Sequence, residues 1–229
     1  MKLAIATRCD QNINEMSSLT HPIIKNYAKK CGADFITMTE DSDCTVGHGR
    51  YHFKIMQVGS LLDEYDRVLN LDSDILINES CPNIFDIVPY QCVGSIYEDK
   101  GSRAEDRHQR IRLIQEKFGY IGWSEGYPNT GVFLTSKLHK NIFEKINGEY
   151  WTDRGFDDVH LGYQIHKNDY CFHELSFEYN NMTMFCEAWN HFPSRFESHI
   201  IHYAGAGIFD HGVSSRIEQI RKDKKTLGL

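Results

Sequence analysis

Nothing in the chain approaches the roughly 20 consecutive apolar residues that a bilayer-spanning helix needs. The opening Met1-Lys2-Leu3-Ala4-Ile5-Ala6-Thr7 is too short an apolar stretch for a secretory signal and breaks at Arg8-Cys9-Asp10. Positive charge is in deficit. Lys and Arg number 25 against 32 Asp and Glu, a net charge of -7, which is the wrong balance for a nucleic-acid surface. Net charge does not preclude a local basic cleft for one phosphorylated ligand. Cysteine motifs are missing as well: Cys9, Cys31, Cys44, Cys81, Cys92, Cys171 and Cys186 include no C-x-x-C pair. Neither a disulfide framework nor structural zinc is therefore expected, and the pattern suits a reducing compartment. Asn78-Glu79-Ser80 and Asn181-Met182-Thr183 match glycosylation sequons, but without a secretory signal they read as chance. The expectation is a soluble, cytoplasmic chain with no transmembrane segment and no nucleic-acid partner.

Phosphate-binding glycine loops are also lacking. There is no G-x-x-x-x-G-K-[ST], which argues against a P-loop enzyme. Gly205-Ala206-Gly207 begins like a dinucleotide fingerprint, but Asp210 stands where the third glycine is needed, and the segment lies far from the first strand.

What is present suits one large α/β domain: 229 residues, 41% hydrophobic and 25% charged. Lys2–Thr7 reads as a buried strand. Ser17-Ser18 offers an N-cap for a helix in which Ile23, Ile24, Tyr27 and Ala28 share a face until Gly32. A strand over Asp34–Thr37, a polar loop over 40–49 and a helix over Tyr51–Leu62 follow, leading into a strand that ends at Asp72. Next come a short helix near Asn83–Val88, a strand over Gln91–Ile96, and a charged segment, Glu98–Arg107. That segment reads as a solvated connection or as a mobile lid. Ile111, Ile114 and Phe118 mark a further helix, Val132–Thr135 a strand, and Val159–His166 another helix. Ser214–Lys225 is an amphipathic helix whose Arg216, Arg221, Lys222, Lys224 and Lys225 form a basic face. Strands alternating with helices predict a central, mostly parallel sheet flanked by helices.

Three segments carry chemistry. In Arg67-Val-Leu-Asn-Leu-Asp72-Ser73-Asp74-Ile-Leu-Ile an apolar strand delivers two carboxylates one residue apart and then resumes. Acids at the end of a core strand need a partner. A divalent cation supplies one, since hard oxygen ligands suit Mg²⁺ or Mn²⁺ and such ions bridge carboxylates to substrate phosphates. In Gly155-Phe156-Asp157-Asp158-Val159-His160 two acids precede an apolar helix. One can cap its N-terminus, and the other can face a cleft as a general base; His160 is a lesser candidate for the base. Tyr150-Trp151, just upstream, suits either a sugar-binding wall or core packing. In Ile200-Ile201-His202-Tyr203-Ala204-Gly205 a strand delivers a histidine beside small residues. It is either a hydrogen-bonded core residue or a third metal ligand.

Taken together, Ala4-Ile5-Ala6-Thr7, Asp72-Ser73-Asp74, Asn129-Thr130-Gly131-Val132, Phe156-Asp157-Asp158 and His202-Tyr203-Ala204-Gly205 resemble, in their order, the nucleotide-sugar-dependent glycosyltransferases of the GT-A fold. The resemblance implies a single GT-A-like (Rossmann-like) domain over 1–229, with a nucleotide- and metal-binding half (1–100) and an acceptor and catalytic half (101–229). It implies Mn²⁺ or Mg²⁺ on Asp72, Asp74 and His202, holding the diphosphate of a donor, most simply a UDP-sugar. Ala6, Thr7, Arg8, Asp72, Ser73, Asn129 and Gly205 would line the donor site, with Arg50 and Lys54 contacting phosphate or sugar. The acceptor would be a glycan or another hydroxyl compound.

Retaining, glycogenin-like members continue the histidine motif to a lysine and carry a D-Q-D motif. Here Ile208 and Phe209 follow Gly207, and Phe156 stands where the first acid would be. Phe156-Asp157-Asp158 looks more like the x-E-D motif of inverting enzymes, with Asp158, or else Asp157, as the base. Two rival classes remain: a D-x-D-x-[TV] phosphatase, in which Leu76 would be out of place, and a non-catalytic nucleotide-sugar or glycan-binding module.

Overall fold

The computed structural model describes residues 1–39, 52–182 and 194–229. The polar loop over 40–49, together with Arg50 and Tyr51, lies outside these, as does Thr183 of the second sequon. Nine strands and six α-helices are named here: β1 (Leu3–Arg8), α1 (Asn14–Lys30), β2 (Asp34–Met38), α2 (Val58–Leu61), β3 (Arg67–Leu71), β4 (Ile75–Ile77), α3 (Ile84–Ile87), β5 (Cys92–Ser95), α4 (Ala104–Phe118), β6 (Val132–Ser136), α5 (Phe156–Lys167), β7 (Cys171–Glu174), β8 (Asn181–Met182), β9 (Ile200–His202) and α6 (Arg216–Leu227).

Six strands form the main sheet in the order β2-β1-β3-β6-β5-β7. The β1–β2, β1–β3 and β5–β7 pairs are parallel, whereas β6 runs antiparallel to both neighbours. The expected mostly parallel sheet flanked by helices is what is observed. Alternate residues explain why β3 is buried throughout: Leu69 and Leu71 enter one apolar cluster with α1, and Val68 enters another with Phe53 and Leu161. Arg67, at the start of β3, is buried because its guanidinium donates to the carbonyls of Phe85 (2.6 Å) and Val88 (2.8 Å) around the end of α3.

After β3 the chain leaves this sheet. β4 joins a second, three-stranded sheet in the order β4-β9-β8, with Ile75 opposite His202. The residues between β3 and β4 are Asp72, Ser73 and Asp74, so the D-x-D occupies the seam between the two sheets. Among the described residues, no helix is long and apolar enough to cross a membrane.

Several sequence expectations are corrected. The first helix starts at Asn14, and Ser17 and Ser18 return their hydroxyls to the carbonyls of Asn14 and Glu15 instead of capping it. Pro22 is inside that helix. The helix over 51–62 is a 3-10 turn, Phe53–Gln57, followed by the short α2. The Glu98–Arg107 segment is no mobile lid. Glu98 and Arg107 form a buried ion pair, Asp99 accepts the amides of Gly126 (2.8 Å) and Tyr127 (2.9 Å), and α4 already begins at Ala104. Finally, Cys92 and Cys171 form a disulfide. They lie 79 residues apart, and only the β5–β7 register sets them opposite, with Cα atoms 4.5 Å apart. Spacing along the chain holds no trace of that.

Candidate active site

A cleft of about 640 Å³ opens along the seam, lined by both acidic motifs, His202, Arg8 and Arg216. Its floor is fixed by the turn joining β3 to β4. The Asp72 amide donates to Gly131 (2.8 Å), the Tyr203 amide donates to the Asp74 carbonyl (2.9 Å), and Thr20 Oγ1 donates to the Ser73 carbonyl (2.6 Å). Ser73 Oγ bonds the carbonyl of Arg8 and lies 3.2 Å from Thr7 Oγ1. With Ser73 held down, the two flanking carboxylates turn up into the cleft.

Ligand-capable atoms of Asp72, Asp74 and His202 all lie within 4.8 Å of one another. His202 Nε2 is 3.3 Å from Asp74 Oδ1 and 3.6 Å from Asp72 Oδ2. Two carboxylates and one imidazole nitrogen are a donor set that fits Mn²⁺ or Mg²⁺. Arginines neutralise the acids: Arg8 pairs with Asp72, and Arg216 Nη1 lies 2.8 Å from Asp74 Oδ2. Burial pushes the Asp74 carboxyl up, but His202 and Arg216 outweigh it and hold it well below the usual carboxylate range. Burial lowers His202, and the two carboxylates more than reverse that, leaving it raised.

Gly131 makes this closeness possible. A Cβ there would overlap His202 Cε1 and come within 2.9 Å of Nδ1, so the glycine of the Asn-Thr-Gly segment leaves room for the ring. Gly131→Ala is predicted to displace the imidazole and weaken Mn²⁺ binding by at least about tenfold. Calorimetric titration of a variant with native circular dichroism checks this, and an unchanged affinity would remove His202 from the ligand set.

The second acidic motif enters through a left-handed turn. Gly155 (φ 83°) and Phe156 (φ 36°) precede the acids, and the Phe156 ring is held by stacking on His52 at 4.5 Å. The residue at the N-cap of α5 is Gly155 and no side chain caps the helix, so neither acid has the capping role. Asp157 instead receives Thr130 Oγ1 (2.9 Å), Arg8 Nη1 (3.4 Å) and His52 Nδ1 (3.2 Å). Burial alone would raise its pKa, but His52 and Arg8 hold it below the ordinary value. Asp158 Oδ1 accepts the Thr130 amide (2.8 Å) and lies 2.8 Å from the Thr130 hydroxyl, whose one proton the two carboxylates share. Burial, with the negative charges of Asp157 and Glu98 added, pushes Asp158 up to about 8. Neighbouring acids thus have opposite characters: Asp157 is an anion tied to cations, and Asp158 is a carboxyl that keeps its proton to higher pH.

His160 is a core residue. The Trp151 amide donates to its Nδ1 (3.3 Å), its Nε2 meets the Glu144 carbonyl (2.8 Å), and burial lowers it to about 4. It cannot serve as the base. Trp151 is buried in the α4–α5 cluster and Tyr150 stacks on Phe53, so neither forms a wall of the cleft. Ala6 points into the core and Thr7 is buried against Ser73; neither lines the cleft. Lys54, Asn129 and Gly205 do line it, with Lys54 Nζ donating to the Thr39 carbonyl (2.8 Å). Arg50 lies outside the described residues. Sequence reasoning gave no site role to Arg216, His52, Thr130 and Asn180. Two of these had a signal: Thr130 stands inside the Asn129-Thr130-Gly131 motif, and Arg216 in a basic stretch after the histidine motif that reads as surface charge.

These features define the fold of the GT-A glycosyltransferases, with a D-x-D pair where the strand of the main sheet ends. No protein-family model matches the sequence, and no curated protein does. Among solved structures, one similar chain is a glycosyltransferase involved in glycosylation of the major capsid of PBCV-1 (TM-score 0.60, 15% identity, 97% of this chain and 100% of that one). Another is the galactosyltransferase LgtC in complex with donor and acceptor sugar analogs (TM-score 0.59, 15% identity, 98% and 95%). A third is mouse xyloside xylosyltransferase 1 (TM-score 0.54, 11% identity, 92% and 100%). At such identities the likeness establishes the fold.

Proposed function

We propose that the protein is a glycosyltransferase that moves a sugar from a nucleoside-diphosphate sugar, most simply a UDP-sugar, to a hydroxyl of a glycan or other acceptor, using Mn²⁺ or Mg²⁺ and inverting the anomeric carbon. One observation carries this reading: Asp72, Asp74 and His202 converge in the same cleft as Asp158, on a GT-A fold. The bound cation supplies Lewis-acid stabilisation of the diphosphate leaving group. Arg8 and Arg216 already hold the two carboxylates. With those oxygens given to a cation, the Arg8 and Arg216 guanidiniums would be available beside the donor, and such forks suit phosphate oxygens.

Asp158 is the base. Thr130 holds only its Oδ1, and among the described residues Oδ2 has no hydrogen-bond donor. As the acceptor oxygen bonds to the anomeric carbon, the bond from that carbon to the phosphate oxygen breaks and Asp158 takes the hydroxyl proton. A single displacement needs one such base. Asp157, engaged by Arg8 and His52, keeps the neighbouring positive charges in place.

The test is UDP release from a panel of UDP-sugars, with and without saccharide acceptors, in Mn²⁺ or in EDTA. Acceptor-dependent release that EDTA abolishes is the expected result, and the anomeric configuration of the product reports inversion or retention. Donor binding without turnover would make the chain a binding module, and phosphate release from simple monoesters would make it a phosphatase.

A further inference from the structure

Along the cleft, a line of buried side chains connects His202 to α4. His202 Nδ1 lies 2.8 Å from Asn180 Oδ1. Asn180 Nδ2 donates to Asn129 Oδ1 (2.8 Å), and Asn129 Nδ2 donates to Glu98 Oε2 (3.0 Å). Glu98 Oε1 receives Arg107 Nε (3.1 Å) and Nη2. All five residues are buried.

The direction of this line is forced from its far end. A guanidinium can only donate and a carboxylate can only accept. Glu98, paired with Arg107, must therefore meet the amide nitrogen of Asn129. Gly131 confirms that orientation independently, because its backbone N–H donates to Asn129 Oδ1 (3.0 Å). Asn129 thus presents oxygen to Asn180, Asn180 answers with its NH₂, and its own oxygen is left facing His202. An acceptor opposite Nδ1 requires the ring proton there. Nε2, on the side of Asp72 and Asp74, is then the nitrogen whose lone pair a cation can use.

We propose that Asn180, Asn129, Glu98 and Arg107 are positioning residues that fix the His202 tautomer, so that Nε2 is the cation ligand. This rests on the reading of Asp72, Asp74 and His202 as a cation site. The two ideas separate experimentally, because a tautomer can be measured without metal.

The probe is the protein labelled with ¹⁵N-histidine and dialysed against EDTA, with the His202 signals assigned by their loss in His202→Gln. Long-range ¹H–¹⁵N correlation of the neutral ring should show the proton on Nδ1. Mn²⁺ affinity is read in parallel from the electron paramagnetic resonance of the free ion. Glu98→Gln turns an obligate acceptor into an amide that keeps its oxygen toward Arg107 and offers NH₂ to Asn129, reversing the line. The expected result is a proton moved to Nε2 and Mn²⁺ bound at least about tenfold more weakly. Adding Asn180→Asp restores an acceptor opposite Nδ1 and one opposite the reversed Asn129, so the double variant should recover both the Nδ1 proton and most of the affinity.

A neutral ring, reached by raising the pH above the raised His202 pKa, whose single proton sits on Nε2 in the unaltered protein overturns the proposal, and this result does not depend on any variant folding. So does a double variant no better than a Glu98→Gln protein whose tautomer has moved, the Gly131 N–H being the one other group that holds Asn129 in its present orientation. An Nδ1 proton in a protein that binds no Mn²⁺ supports the positioning role and sinks the cation-site reading instead.

Discussion

In Asp74→Ala protein, Mn²⁺ and UDP together should no longer raise the melting temperature, and sugar transfer should fall by at least about 10³-fold, the scale of the several kcal/mol a Lewis-acid cation supplies. Asp74 is the more enclosed of the two carboxylates, only 7% exposed, with His202 at 3.3 Å and Arg216 at 2.8 Å. Those two partners hold it ionised against the cost of burial. It is therefore a permanent anion across the working pH range. Alanine removes that charge and leaves Arg216 without its carboxylate partner, which repels a divalent ion as well as failing to ligate it. The comparison is of melting curves in EDTA, in Mn²⁺, and in Mn²⁺ with UDP, since a ligand selective for the native state stabilises it by mass action. A variant whose response to Mn²⁺ and UDP matches the unaltered protein would refute the cation assignment.

Asp158→Asn should separate binding from chemistry. Donor binding should be retained, because Asn can still accept the Thr130 amide through its oxygen, while turnover falls by about 10²–10⁴-fold for loss of a general base. The variant should also be more stable than the parent at alkaline pH. The Asp158 pKa is raised in the folded state to about 8 from an ordinary 3.8, so the folded protein holds this proton where the unfolded chain has released it. The resulting destabilisation is absent below the unfolded value, grows as pH rises between the two, and is complete above about 8. The stability gain of Asp158→Asn should follow the same course, read from denaturant midpoints at several pH values. In the parent, kcat/KM should climb through the same folded pKa as the base loses its proton. Full turnover in Asp158→Asn, with collapse in Asp157→Asn, would transfer the role to Asp157.

The parts of this molecule legible in its sequence are those whose signal is local. An apolar run interrupted by Asp72 and Asp74 offers two candidate ligands at a strand end, and beside that pair Ile200-Ile201-His202 offers a candidate third. Both readings depend only on period and residue type. Glu98 and Arg107 were misread because composition reports charge without reporting pairing: nine positions apart, on either side of a helix start, they bury each other. Asn180 gave no signal, since its meaning depends on β8 lying beside β9, with Met182 opposite His202. The same holds for Cys92 and Cys171, which only strand register makes neighbours. His160 shows the converse error. A histidine beside two acids suggests catalysis, yet helical geometry turns it the other way, onto the Glu144 carbonyl.

The change of sheet between β3 and β4 also has a kinetic meaning. β1 finds β2 by joining residue 4 to residue 34, whereas β4 finds β9 only when residue 75 meets residue 202. The second loop is about four times longer, and at roughly 0.6 kcal/mol per doubling its closure costs about 1.2 kcal/mol more entropy. During folding β1, β2 and β3 can therefore assemble before the histidine arrives. A chain still emerging from the ribosome can own Asp72 and Asp74 without owning a complete ligand set. On the cation site proposed above, tight capture of the ion would be a property of the finished chain, and a metal binding only then would draw the most distant strand pairing toward completion.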